Sequence, residues 1–196
     1  MPRFLGRFVI GAGALLIAVT AQAQGTSKAP ARPWKVGGVL GATIPVGDFS
    51  DVAKLGWHLG GLFEYKQQSL PLTWRGELTY HRNGLEDGAF TEFPNVGGHA
   101  SVLGFVGNAL FPFGDAASTA RPYAIGGLGV YHASRSGDLP SGNTISRSDT
   151  NFGINLGGGF IFTLSGFETF VELRYHIVFT EDNNTSFIPI SFGFKF

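Results

Sequence analysis

The stretch from Thr169 to Phe196 leaves few folds open to this chain. It reads as two strands joined by the polar turn Thr180-Glu181-Asp182-Asn183-Asn184-Thr185-Ser186. In the first strand Val171, Leu173, Tyr175, Ile177 and Phe179 alternate with Phe170, Glu172, Arg174, His176 and Val178. In the second, Ile188, Ile190, Phe192, Phe194 and Phe196 alternate with Pro189, Ser191, Gly193 and Lys195. A period of two puts one set on each face of a sheet, here one apolar and one largely polar. The apolar face ends in an aromatic ladder that runs to the last residue. Such a ladder suits a sheet whose greasy face meets lipid and whose polar face points inward.

On these residues the chain resembles small OmpA- or OmpX-like members of the bacterial outer-membrane β-barrel family, whose last strand ends in Phe with aromatics at alternate positions before it. The resemblance implies that Phe192, Phe194 and Phe196 form the signal read by the barrel-assembly machinery. It implies an all-β fold, an eight-stranded antiparallel up-and-down transmembrane β-barrel, surrounded by outer-membrane lipid and lipopolysaccharide.

The other end of the chain reads as an export leader. Arg3 and Arg7 precede a short apolar run from Phe8 to Val19, and Ala21-Gln22-Ala23 is a small-x-small cleavage pattern. The run is too short to span a bilayer as a helix, which takes ~20 apolar residues. Residues 1–23 are therefore expected to be a signal peptide and 24–33, with Pro30 and Pro33, a periplasmic linker. Residues 34–196 form the single barrel domain.

Charge and cysteine content exclude several function classes. Of 14 Lys and Arg, two lie in the leader, leaving 12 against 14 Asp and Glu, or 12 − 14 = −2. A nearly neutral, slightly acidic chain offers no basic surface for nucleic acid. Without cysteine there is no thiol nucleophile, thiolate metal site or disulfide. No cofactor motif appears, and Gly126-Gly127-Leu128-Gly129 lacks the following helix that a dinucleotide site needs.

From Trp34 the alternation divides into eight segments: Trp34 to Ile44, Trp57 to Tyr65, Leu72 to His81, Ala100 to Phe113, Arg121 to Ser134, Asn151 to Ser165, and the final pair. The fourth is apolar on both faces, so its register is open. The connections run long, short, long, short, long, short, medium, with long loops at Pro45 to Gly56, Asn83 to His99 and Arg135 to Thr150. An N-terminus in the periplasm then puts each long loop outside, the asymmetry of outer-membrane barrels.

Eight strands enclose a bore just wide enough for side chains. The residues expected to face it are Lys35, His58, Glu64, Arg75, Glu77, His81, Glu172, Arg174, His176 and Lys195. Charges buried there must pair, so Arg75, Glu77, Glu172 and Arg174, with Glu64 and His176, are expected to plug the lumen as an ion-pair network. Asp48, Asp51, Glu86, Asp87, Glu92, Asp138, Asp149, Glu181 and Asp182 fall in external loops, where divalent-cation bridging to lipopolysaccharide competes with simple solvation. They lack EF-hand spacing, and no metal site is expected.

His132-Ala133-Ser134 is similar to the His-x-Ser element of lipid A deacylases, where His activates a Ser nucleophile. That family also needs a downstream Glu, and Glu168, Glu172 and Glu181 are not at its spacing; Arg135 stands where Asn is expected. His132 shares parity with Leu128 and Val130, opposite Tyr123 and Tyr131, which read as the lipid-facing girdle. The expected function is thus a non-enzymatic barrel with a structural or surface-interaction role through its loops. The alternatives are a lipid A-modifying barrel enzyme and a soluble, lipocalin-like barrel with its apolar face inward.

Overall fold

The structure, a computed structural model, describes residues 32–86, 98–115, 118–138, 144–164, 166–180 and 184–196. The expected signal peptide, most of the expected linker, and Asp87, Glu92, Glu181 and Asp182 lie outside the described residues.

Eight strands form a closed barrel: β1 (Trp34–Val46), β2 (Ala53–Lys66), β3 (Thr73–Leu85), β4 (Gly98–Pro112), β5 (Ala120–Asp138), β6 (Thr144–Leu164), β7 (Phe167–Val178) and β8 (Thr185–Lys195). Each pairs antiparallel with the next, and β1 pairs with β8, so the sheet has no free edge. The β7–β8 ladder is interrupted between Leu173↔Ile190 and His176↔Phe187, around Pro189, which has no N–H to donate.

Alternation assigns the two faces. Leu156 and Phe105 are 71% and 69% exposed on the outside, while Arg75 and Glu172 are each 1% exposed inside. Leu59, Trp74, Leu173, Phe192, Phe194 and Phe196 also point outward. A soluble barrel with its apolar face inward is thereby excluded, because the exposed apolar surface encircles the sheet and the bore holds the charges.

Between β1 and β2 lies a single 3-10 turn, Gly47–Asp51, rather than a long loop. Gly47 opens it at φ 59°, a left-handed conformation that suits glycine. The turn folds Phe49 into the end of the barrel against Ala53, Leu85, Ala100 and Phe187. The expected loop from Arg135 to Thr150 is also mostly strand: β5 and β6 run 19 and 21 residues and stay paired from Tyr131↔Asn151 to Asp138↔Thr144. Strands of ~9–11 residues suffice to cross a bilayer. The surplus is a two-stranded ribbon at the end opposite the start of β1 and the end of β8. Its Ser, Arg and Thr residues carry no apolar alternation, which is why a search for that pattern reads it as loop.

Candidate functional site

The bore is filled in layers, and the charged layer is built by β2, β3, β7 and β8. Inward positions two apart on β3 carry Arg75 and Glu77; on β7 they carry Glu172 and Arg174. Within strands, Arg75 Nη1 lies 3.1 Å from Glu77 Oε1 and Arg174 Nε 2.8 Å from Glu172 Oε1. Across the bore, Arg75 Nη1 lies 2.8 Å from Glu172 Oε2 and Arg174 Nη2 2.7 Å from Glu77 Oε2. The four side chains therefore close a ring of alternating sign. Glu64 on β2 joins it through Arg75 Nη2 at 2.7 Å, and Lys195 on β8 holds Glu64 at 2.7 Å. Three cations meet three carboxylates, so the layer is neutral. Tyr123 donates to Glu172 Oε2 at 2.6 Å, and Arg75 stacks over the Phe170 ring at 4.6 Å.

His176 lies outside the ion pairs. Its Nδ1 bonds the Tyr131 hydroxyl at 2.9 Å and its ring stacks on Phe187, 4.9 Å between centroids. It belongs to a layer of imidazoles and hydroxyls nearer the ribbon end. There Thr43 Oγ1 meets Nδ1 of both His58 and His81, at 3.1 and 2.9 Å. A hydroxyl has one proton, so at least one of the two Nδ1 atoms carries hydrogen. His58 Nε2 continues to Ser191 and His81 Nε2 to Thr79. Above this layer sits the apolar cap around Phe49. Among the described residues no group of His, Asp and Glu side chains could hold a metal ion.

Two residues expected on the outer girdle are inside. Tyr123 and Tyr131 are 2% and 0% exposed, with Ile125 beside them. On β5 both faces carry apolar residues, so parity alone did not decide. The outward places go to Leu128 and Val130, and the two phenols bond Glu172 and His176. This reverses the reading of His132: it is exposed on the outer face, as Leu128 and Val130 are. Its Nδ1 bonds Thr150 Oγ1 at 2.8 Å, and Ser134 stands opposite Ser148. Among the described residues no carboxylate contacts His132, and Glu168 and Glu172 lie inside the barrel at other heights. Among the described residues no relay from acid to His to Ser is assembled.

The remaining expected residues are placed as follows. Lys35 pairs with Glu168 at 2.6 Å near the start of β1. Asp48 and Asp51 are exposed in the 3-10 turn, and Glu86 meets Lys54 at 3.4 Å. Phe192 and Phe194 on β8, with Phe196 just after it, form an outward row, the last two rings stacked 6.4 Å apart. Sequence reading missed Tyr123, Tyr131 and Phe170 as lumen residues. The signal available for Phe170 was its parity with Glu172 and Arg174.

Residues 12–196 match the family described as outer membrane protein beta-barrel domain. No curated protein sequence matches the chain. Among solved structures, Neisserial surface protein A superposes with a TM-score of 0.62 at 16% identity, covering 83% of this chain and 96% of that one. Ail of Yersinia pestis, solved in complex with the heparin analogue sucrose octasulfate, superposes at 0.52 and 16% identity, covering 83% and 99%. The outer membrane enzyme PagL superposes at 0.50 and 20% identity, covering 82% and 97%. At these identities the likeness is one of fold.

Proposed function

This chain belongs to the outer membrane protein beta-barrel domain family, and from that premise we propose that it is exported by a cleaved leader and sits in the bacterial outer membrane as a plugged, non-enzymatic surface protein. Its apolar belt faces acyl chains, and its termini lie on the periplasmic side. Phe192, Phe194 and Phe196 serve as the signal for the barrel-assembly machinery. The ring of Arg75, Glu77, Glu172 and Arg174, with Glu64 and Lys195, blocks ion flow, because a conducting path would have to break charges paired across a bore filled by side chains.

The observation that carries the surface role is the β5–β6 ribbon. Within it Arg135 faces Arg147 directly across the strand pair, both exposed, between Ser134, Ser136, Ser146 and Ser148. Like charges placed opposite each other destabilise a ribbon unless an anion lies between them. We read the pair as a clamp for phosphate groups of lipopolysaccharide. The sulfated ligand of Ail is a parallel of anion binding on the same architecture. The test is retention of the folded protein on immobilised lipopolysaccharide. Arg135→Ser with Arg147→Ser should reduce retention several-fold while the barrel stays folded; unchanged retention overturns the surface reading.

A further inference from the structure

The end of the barrel where β1 starts and β8 ends holds a cavity of about 270 Å³ that the plug does not fill. Its wall carries five cations, Arg32, Lys35, Lys66, Arg121 and Lys195, and two carboxylates, Glu64 and Glu168. Both carboxylates are already engaged: Glu64 by Arg75 and Lys195, Glu168 by Lys35 at 2.6 Å and Lys195 at 3.5 Å. Arg32, Lys66 and Arg121 form no ion pair with a described residue. The Arg121 Nε is moreover buried without an acceptor. Thr73 and Thr163 also reach the wall. A chain with equal numbers of acidic and basic residues thus concentrates a surplus of three positive charges around one concavity.

We propose that this mouth is a binding site for a phosphate-type oxyanion, held by Arg121, Lys66 and Arg32. A guanidinium presents a planar fork that matches two oxygens of such a group, and a lysine adds a point charge. A cavity this size admits one phosphate or diphosphate group and no folded partner. The same chemistry is offered by a free phosphate and by the headgroup of a phospholipid at the barrel rim. The site is at the opposite end from the ribbon, so it stands or falls separately from the lipopolysaccharide clamp.

The experiment titrates inorganic phosphate and pyrophosphate into the purified protein in non-ionic detergent at constant ionic strength, with calorimetric readout. Saturable binding at one site is expected, tighter for pyrophosphate. Arg121→Gln with Lys66→Gln should weaken it about tenfold, which is 1.4 kcal/mol. Arg121→Lys with Lys66→Arg, which keeps the charge, should retain most of it, and Arg135→Gln with Arg147→Gln should leave it unchanged. Gel mobility before and after heating verifies that each variant is folded. Absence of saturable binding, or equal weakening by the ribbon variant, overturns the proposal. Repeating the titration in discs of phosphatidylcholine and of phosphatidylglycerol identifies the source. Weaker phosphate binding in phosphatidylglycerol that the Gln pair abolishes assigns a lipid headgroup; equal affinity in the two assigns free phosphate.

Discussion

The Phe170 ring lies over the backbone of Gly193, its partner across β7 and β8, so closely that a β-carbon on Gly193 would fall 2.1 Å from Phe170 Cζ. Phe170 in turn supports the Arg75 guanidinium at 4.6 Å and has Lys195 Nζ 5.7 Å from its centre. The missing side chain of one residue therefore positions the hub of the charged ring. Gly193→Ala should displace the ring and destabilise the barrel by about 1–3 kcal/mol, as overpacking does. The urea midpoint of the heat-modifiable form checks this. A midpoint equal to that of the unaltered protein would show that the contact does not matter.

Removing one ring member leaves its partners charged and buried. Glu172→Gln should cost about 3–5 kcal/mol, since it strips both arginines of a carboxylate. Adding Arg174→Gln to Glu172→Gln restores neutrality and should recover a large part of that loss. Unfolding of the single and double variants in vesicles measures the difference. If the double variant is as unstable as the sum of its parts, charge balance is not what the layer provides.

The plug should make the barrel silent in a planar bilayer. No stepwise conductance is expected from the unaltered protein, and Glu172→Gln with Glu77→Gln, which leaves three cations facing one carboxylate, should conduct anions in preference to cations. Regular single-channel steps from the unaltered protein would end the closed-lumen reading.

The outer belt should behave as a lipid-facing surface. Leu173→Arg, at an exposed position midway along β7, should cost about 2–4 kcal/mol, whereas Ser134→Arg on the ribbon should be nearly neutral. Trp74 points outward and donates its indole N–H to Gln67 Oε1 at 3.0 Å near the terminal end, so brominated acyl chains should quench it. Trp74 left bright by brominated lipid would contradict the belt.

The His132 and Ser134 pair should be inert toward lipopolysaccharide, because among the described residues no carboxylate orients the imidazole. Mass spectrometry of lipid A incubated with the protein should show no acyl loss. Loss that disappears in His132→Ala would replace the surface role by a hydrolytic one.

How much of this was legible beforehand depends on how each strand is patterned. On β3, β6, β7 and β8 apolar and polar residues alternate over most of the strand, with Ile161, Phe170, Phe187 and Pro189 as apolar residues at inward positions, so faces, strand number and the inward set Arg75, Glu77, Glu172 and Arg174 could be read directly. On β5 apolar residues occupy both faces, and an aromatic with a hydroxyl fits either an interface or a wet lumen. Tyr123 and Tyr131 were accordingly placed on the wrong side. The ribbon was hidden for a different reason: strands beyond the bilayer have no lipid to match, so Ser134 to Asp138 and Thr144 to Thr150 show no period of two. The cap formed by Phe49 was illegible because one apolar residue in a polar turn carries no periodicity at all. The cationic mouth draws Arg32, Lys66, Arg121 and Lys195 from four distant stretches, and only closure gathers them.

Lys195 brings in the third cation of the charged layer, and it belongs to the final strand. A partly assembled sheet that stops short of β8 carries two arginines against Glu64, Glu77 and Glu172, one negative charge in excess. Zipping the seam between β1 and β8 supplies the missing countercharge at the moment the cylinder shuts. Completion is thus rewarded electrostatically, and an unfinished barrel has a standing bias toward capturing its own C-terminus.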